Sequence, residues 1–321
     1  MFCDHFVEMP LPADQAQGQI GIERWLEALI KADPAAAAKG QMLAVHAKTK
    51  ALMAGTFGCS QYLSWAAVQH PHLLMQILID GPDNAWQEAL APLRAPAATE
   101  AAAKSALRRA RNRAALIIAV ADITAAWTLP QVTTALSDTA DACIEYALCF
   151  ILADMGKRGR LTLADPDNPT KDCGIFALGM GKLGAHELNY SSDIDLIVLY
   201  EPEKVPHTRP DRLQQDMARL TQQWVALLQD RTADGFAFRT DLRLRPDPAS
   251  TPPAITVPAA EIYYESMGQN WERAAMIKAR VVAGDQPLGA DFLEFLTPFV
   301  WRRSLDFWAI RDIHSIKRQI N

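Results

Sequence analysis

Over residues 20–157 apolar side chains recur every three to four positions, as in Trp25, Leu26, Leu29 and Ile30 and again in Leu116, Ile117 and Val120. That period lays one apolar stripe along each of a series of helices. Pro10, Pro34, Pro71, Pro92 and Pro130 fall where helices should begin or end, dividing the segment into about six of them. The stretch RLTLADPDNPTKD, 160–172, breaks the pattern with two prolines among polar residues and reads as an exposed loop or linker.

Beyond this loop the period changes. CGIFALGM (173–180) and DIDLIVLY (193–200) are runs of buried-strand residues, PDRLQQDMARLTQQWVALLQD (210–230) is an amphipathic helix, and FAFRTDLRLRP (236–246) alternates as a strand does. Helical patterns return after Pro258 in AAEIYYESMG and NWERAAMIKARVV, and a last one starts near 303 and is still running at Asn321. The pattern predicts an α+β protein: a helical lobe over 1–157, a core with a small mixed sheet over 158–257, and an incomplete C-terminal helical region over 258–321. A chain that stops inside an uncapped helix reads as a fragment of a longer one.

Composition narrows the function classes. The chain has 321 residues, half of them apolar, and a net charge of −5, so its overall field does not attract nucleic acid or an anionic membrane. Five cysteines without C-x-x-C spacing suggest neither a disulfide framework nor a zinc site, and point to a reducing, cytoplasmic setting. No membrane-length apolar run and no signal peptide is recognisable.

The candidate chemistry centres on GMGKLGAHELNYSSDIDLIVLY, 179–200. Asp193 and Asp195 stand two apart at the mouth of a predicted strand, on one face and about 6.5–7 Å apart along the backbone. Two readings are open: a pair of carboxylates sharing one or two cations, as in phosphoryl or nucleotidyl transfer, or an acidic surface turn. Asp165 and Asp167 repeat the D-x-D spacing inside the polar loop, where solvation explains them. Asp241 is a third acid; on an alternating strand it shares a face with Arg239, Arg243 and Arg245, a combination suited to metal and phosphate. Gly179, Gly181 and Gly184 form either a simple strand-to-helix turn or one whose backbone N–H groups approach a phosphate, with Lys182 as a phosphate contact or an ordinary exposed lysine. His186 is given no role.

GKLGAHELNYSSDIDLIVLY, DLRLRPDP, NWERAAMIKARVVAGD and PFVWRRSLDFWAI, in that order and spacing, resemble the bacterial glutamine synthetase adenylyltransferase/deadenylylase family, part of the DNA polymerase β-like nucleotidyltransferase superfamily. LRRARNRAALIIAVADITAAWTLPQVTTALSDTADACIEYAL in the helical lobe resembles the same family. The resemblance implies a two-half enzyme whose N-terminal half removes AMP from glutamine synthetase and whose C-terminal half adds it. The ELN-SSDIDL wording, the Met1 start and the short upstream lobe resemble the removing half. By the same resemblance Asp193, Asp195 and Asp241 would hold Mg²⁺ or Mn²⁺, Gly184 and a hydroxyl of Ser191 or Ser192 would face phosphate unless the serines only form the turn, and Lys278 or Arg280 would lie near phosphate; the turn adds Gly181 and Lys182, and the face shared with Asp241 adds Arg243 and Arg245, as phosphate or nucleotide contacts. Ala185 stands where the superfamily has a second small residue, removing any hydroxyl contact there.

WERAAMIKAR has two readings, a helix packed through Trp271, Ala274 and Met276 with solvated Lys278 and Arg280, or a wall of the cleft. The expected reaction is phosphorolysis of a tyrosyl-AMP bond to ADP, with adenylylated glutamine synthetase, the PII signalling protein, nucleotide and phosphate as partners and no nucleic acid or membrane. The rivals are adenylylation by the same family, a nucleic-acid nucleotidyltransferase, and a non-catalytic regulatory module.

Overall fold

The computed structural model describes Phe2 and residues 9–301. The predicted last helix and the part of PFVWRRSLDFWAI after Trp301 lie outside the described residues. By its internal contacts the chain divides into two units, 1–95 with 108–139 and 96–107 with 140–321. The predicted boundary at 157 does not coincide with this division, because the two longest helices each contribute to both units.

The first part of the chain holds eight α-helices among the described residues: α1 (Gln15–Ala32), α2 (Ala37–Val45), α3 (Ala47–Cys59), α4 (Gln61–Gln69), α5 (Pro71–Asp80), α6 (Pro82–Trp86), α7 (Glu100–Ile123) and α8 (Leu129–Lys157). The expected number was smaller because α2 to α6 are separated by single residues, His46, Ser60, His70 and Gly81, too little chain to interrupt an apolar period. Local chemistry sets the breaks. Asp14 Oδ1 accepts from Gln17 N–H at 3.0 Å and Ser60 Oγ from Leu63 N–H at 3.2 Å, while Pro71 and Pro82 occupy first turns, where no N–H partner is needed. In the first unit a core around Trp25, Leu29, Leu52, Ile77 and Ile117 forms. Gly18 and Gly21 let α1 approach α3: a Cβ on Gly18 would stand 2.5 Å from the Ala54 carbonyl oxygen.

The second unit carries the sheet. Its elements are β1 (Ile175–Gly179), α9 (Gly181–Gly184), β2 (Ile194–Tyr200), α10 (Leu213–Gln229), β3 (Thr240–Asp241), β4 (Ala254–Thr256), α11 (Val257–Ser266), α12 (Asn270–Met276), β5 (Arg280–Gly284), α13 (Gln286–Phe295) and α14 (Thr297–Val300). The strand order is β3-β2-β1-β5, with β4 also on β2. β1 is antiparallel to β2 and β5, and β2 is parallel to β3 and β4. The two runs of consecutive apolar residues form the central strands, and every residue of β1 is buried, as expected for strands covered on both faces. Met217, Leu220, Trp224 and Leu228 form the buried stripe of α10, each such side chain contributing about 1.5–3 kcal/mol by leaving water.

The α+β class agrees with the sequence pattern, but two elements differ. FAFRTDLRLRP is a strand only at Thr240–Asp241 and turns from Leu242 onward. NWERAAMIKARVV is helical only to Met276 and becomes β5 at Arg280. On α12 the buried residues are Glu272, Arg273 and Met276, whereas Trp271 and Ala274 are exposed, so the packing face expected through Trp271 and Ala274 is rotated. The loop at 160–172 is present, and Asp165 accepts from the Asp167 N–H at 3.1 Å in a local turn. No described helix is long and apolar enough to cross a membrane.

Gly284 ends β5 with φ +89°, and a Cβ there would stand 2.1 Å from the Ile175 carbonyl oxygen. Gly235 has a similar φ of +85° but open space around it. Gly235→Ala should therefore cost about 1 kcal/mol of backbone strain, and Gly284→Ala should exceed that by about 2 kcal/mol because backbone must move. Urea unfolding midpoints of the two variants test the difference; equal losses would contradict the contact.

Candidate active site

The site is built where β1 and β2 end and begin. The chain leaves β1 at Gly179, Met180 N–H bonds the Asp195 carbonyl at 2.9 Å, and Gly181 turns into α9 with φ +55°. A Cβ on Gly181 would stand 3.4 Å from Asp195 Oδ2, so the turn needs glycine for its conformation and presents bare backbone to the carboxylate. Gly184 serves packing instead: a Cβ there would stand 2.1 Å from the Lys278 carbonyl oxygen and 2.5 Å from that of Gly179.

The three acids come from adjacent backbone. Asp195 lies on β2, half-buried, and is the direct register partner of Asp241 on β3. In a parallel pair such partners project to the same face about 4.8 Å apart at the backbone. Asp193 precedes β2 by one residue and is exposed. Burial, then the negative charges of Asp241 and Asp193, raise the Asp195 pKa, with Arg243 acting against them. Asp241 is shifted the opposite way, chiefly by hydrogen bonds from Arg243.

Two arginines neutralise this acidic corner. Arg239 Nε bonds Asp193 Oδ1 at 2.5 Å while its Nη2 bonds the Ser191 carbonyl, and its guanidinium lies over the Phe236 ring at 5.7 Å. Arg243 holds Asp241 through Nε at 2.8 and 3.0 Å and through its backbone N–H at 2.7 Å. Arg239 shared the predicted face with Asp241 yet had no assigned role; its position two residues before that acid was the available signal. Among the described residues no group of three or more His, Cys, Asp or Glu side chains is drawn together to hold an ion; Asp193 and Asp241 are paired with Arg239 and Arg243.

The remaining candidates are placed elsewhere. Arg245 is not on a strand face with Asp241, since the chain turns after Leu242. It donates instead to the carbonyls of Leu242, Pro248, Thr251 and Pro252 at 2.9–3.1 Å, which fixes its own loop. Lys278 pairs with Glu187 at 2.9 Å. Arg280 pairs with Asp141 at 2.6 Å and donates to the Leu183 carbonyl at 3.2 Å, supporting the end of α9 from beneath. Lys182 is exposed on α9, Ser191 has φ +55°, and Ser192 N–H bonds the Asn189 carbonyl at 3.3 Å.

Residues 50–295 match the family model described as glutamate-ammonia ligase adenylyltransferase. The chain belongs to that family. Among curated relatives it is similar to the bifunctional glutamine synthetase adenylyltransferase/adenylyl-removing enzyme of Xanthobacter autotrophicus, 44% identical over 98% of this chain and 32% of the relative. The enzymes of the same name from Bradyrhizobium sp. (strain BTAi1) and Caulobacter vibrioides are 42% identical over 100% of this chain and 32% of the relative, and 46% over 93% and 30%. The chain spans about a third of the length of the curated relatives it matches. For a member of the glutamate-ammonia ligase adenylyltransferase family, the corner formed by Gly181, Asp193, Asp195 and Asp241 is the candidate centre.

The raised Asp195 pKa means that the folded state holds this proton to higher pH than the unfolded chain. Stability falls as pH climbs from the ordinary carboxylate value, about 3.9, through the folded value, and the ionised group is a net cost above it. Asp195→Asn should therefore have a higher thermal midpoint than the parent at pH 7, with the difference closing below about pH 4. A lower midpoint at pH 7 would show that the charge is compensated. Arg245→Ala removes four hydrogen bonds from a charged donor group and should cost about 2–3 kcal/mol in urea unfolding. The exposed Arg243→Ala change should leave the midpoint close to the parent's; the reverse order would place Arg245 in the site.

Proposed function

We propose that this chain is a nucleotidyltransferase unit that removes AMP from adenylylated glutamine synthetase by phosphorolysis, acting in the cytoplasm within a bifunctional enzyme of nitrogen assimilation. A phosphate oxygen attacks the phosphorus of the tyrosyl-AMP linkage, the bond to the tyrosine oxygen breaks, and the proton of the attacking phosphate balances the released phenolate. ADP leaves. The observation that carries this reading is the register of β2 and β3, which sets Asp195 beside Asp241 with Asp193 next to them. The family relation supports the substrate, since the relatives' names state both addition and removal of an adenylyl group, and the ELN-SSDIDL wording favours removal.

The donor set fits a divalent cation. Three carboxylates offer the oxygen ligands that Mg²⁺ or Mn²⁺ takes, and a cation would oppose the burial and the neighbouring negative charges that together raise the Asp195 pKa. Asp193, Asp195 and Asp241 would hold it, and once bound it would neutralise charge on the phosphoryl oxygens. The chain's own groups bind and orient. The Gly181 turn brings backbone close to the acids, and Arg239 and Arg243, released from Asp193 and Asp241, pair with phosphate oxygens. An anionic nucleophile needs no general base at neutral pH. Regulation by the PII signalling protein belongs to this reading.

Incubation with adenylylated glutamine synthetase, Mg²⁺ and labelled phosphate should put the label into the β-position of ADP, and Asp195→Asn should reduce that rate about a hundredfold or more. AMP release without phosphate would replace phosphorolysis by hydrolysis. Adenylylation of glutamine synthetase from ATP would assign the adding activity, and no turnover of either kind a regulatory role.

A further inference from the structure

Helix α8 carries two acids that the reaction above does not use, Asp141 and Glu145, four residues apart and therefore on one face. They hold the two ends of β5. At its start Arg280 meets Asp141 through both terminal guanidinium nitrogens, Nη1 to Oδ2 at 2.6 Å and Nη2 to Oδ1 at 2.9 Å, the bidentate geometry that fixes a guanidinium plane. At its end the Gly284 N–H donates to Glu145 Oε2 at 2.8 Å.

Arg280 spans the glycine turn. Its backbone is the register partner of Gly179, the last residue of β1, and its Nη2 also donates to the Leu183 carbonyl at 3.2 Å, beyond Gly181. The start of the turn is tied to the acids: Met180 N–H donates to the Asp195 carbonyl at 2.9 Å, and a Cβ on Gly181 would meet Asp195 Oδ2. Between these two holds α9 has a single helical turn of its own, with Gly184 N–H on the Met180 carbonyl and Ala185 N–H on that of Gly181, both at 3.1 Å. That is too short a helix to keep its place unaided. The Asp141 and Arg280 side chains are each only 22% exposed, and Arg280 Nε is buried without an acceptor among the described residues. A guanidinium already short of one partner depends on Asp141 for its compensation.

We infer that Asp141 is a positioning residue for the turn between β1 and α9: it orients Arg280, and Arg280 holds the Gly181–Leu183 backbone in place beside Asp195. The catalytic consequence rests on the proposed phosphorolysis, in which the Gly181 turn faces phosphate, while the link from Asp141 through Arg280 to Leu183 stands independently of it. Helix α8 thereby acts on the candidate centre without lining it.

Asp141→Asn keeps the size of the side chain and removes the charge that orients the guanidinium. Hydrogen exchange at the Gly184 and Ala185 amides should speed up about tenfold relative to the Leu196–Leu199 amides of β2, the equivalent of one hydrogen bond. KM for phosphate should rise about tenfold with KM for adenylylated glutamine synthetase unchanged; a merely structural loss lowers the active fraction, and so kcat, and moves neither KM. In an Arg280→Ala background Asp141→Asn should change neither readout further, because its effect passes through Arg280. An exchange increase no larger than that of β2, equal increases in both backgrounds, or a loss of kcat with KM for phosphate unmoved would overturn the inference. If the parent chain shows no phosphorolysis, the proposed reaction has failed and exchange alone decides the link. If Asp141→Asn does not fold, Arg280→Lys, which keeps a positive charge facing Asp141 but replaces the fork by a single point donor, must show the same local increase, and its absence overturns the link.

Discussion

Two carboxylates on neighbouring strands repel one another, and the second unit is organised around tolerating that. Asp195 and Asp241 are register partners with Asp193 near them, and after burial it is the negative charges of these two acids that raise the Asp195 pKa. The pairing persists because it is not left to β3. Farther along β2, Val198, Leu199 and Tyr200 pair with Ala254, Ile255 and Thr256 on one side, and Leu196 to Tyr200 pair with β1 on the other. These buried ladders fix the position of β2 before its acidic mouth is reached. Arg239 and Arg243 cover Asp193 and Asp241 only as exposed ion pairs, and Gly181 keeps bare backbone beside Asp195.

The glycine turn depends on groups behind it. Gly184 touches the Lys278 carbonyl, and Arg280 donates to the Leu183 carbonyl while paired with Asp141. The basic residues expected to meet phosphate thus build the floor under α9. The arginine that lowers the Asp241 pKa and the arginine that closes the loop are two residues apart, yet a turn sends them to different tasks. Strand parity cannot separate such neighbours; only the place where β3 stops does.

The legible parts were those in which a pattern has one physical cause. Ile175 to Gly179 and Ile194 to Tyr200 are consecutive apolar runs that fit only covered strands, and Met217, Leu220, Trp224 and Leu228 fit only a helix stripe. FAFRTDLRLRP misled because a turn that packs Leu244 against the core between two arginines repeats the alternation of a strand. MIKARVV carries no Gly or Pro to mark the change from α12 to β5, and the signal for it was the β-branched Val281 and Val282. The acids were legible as a D-x-D pair plus a third acid, but not their register, which is a long-range pairing. Glu272 was hidden for another reason: on a sequence, a buried acid and a solvated one look alike.

The arginines divide by what holds them. Arg245 spends its donors on four carbonyls of its own loop, and Arg280 is confined by Asp141 and Leu183, both settings in which release leaves polar groups unmatched. Arg239 and Arg243 are exposed and bound mainly through acid partners, and exposed ion pairs contribute little net free energy. On the proposed reading they are therefore the groups that would exchange a carboxylate for a phosphate with little cost to the fold. The proposed reading thus places the exchangeable contacts on exposed guanidinium groups and the fixed ones in the turn and loop beneath them.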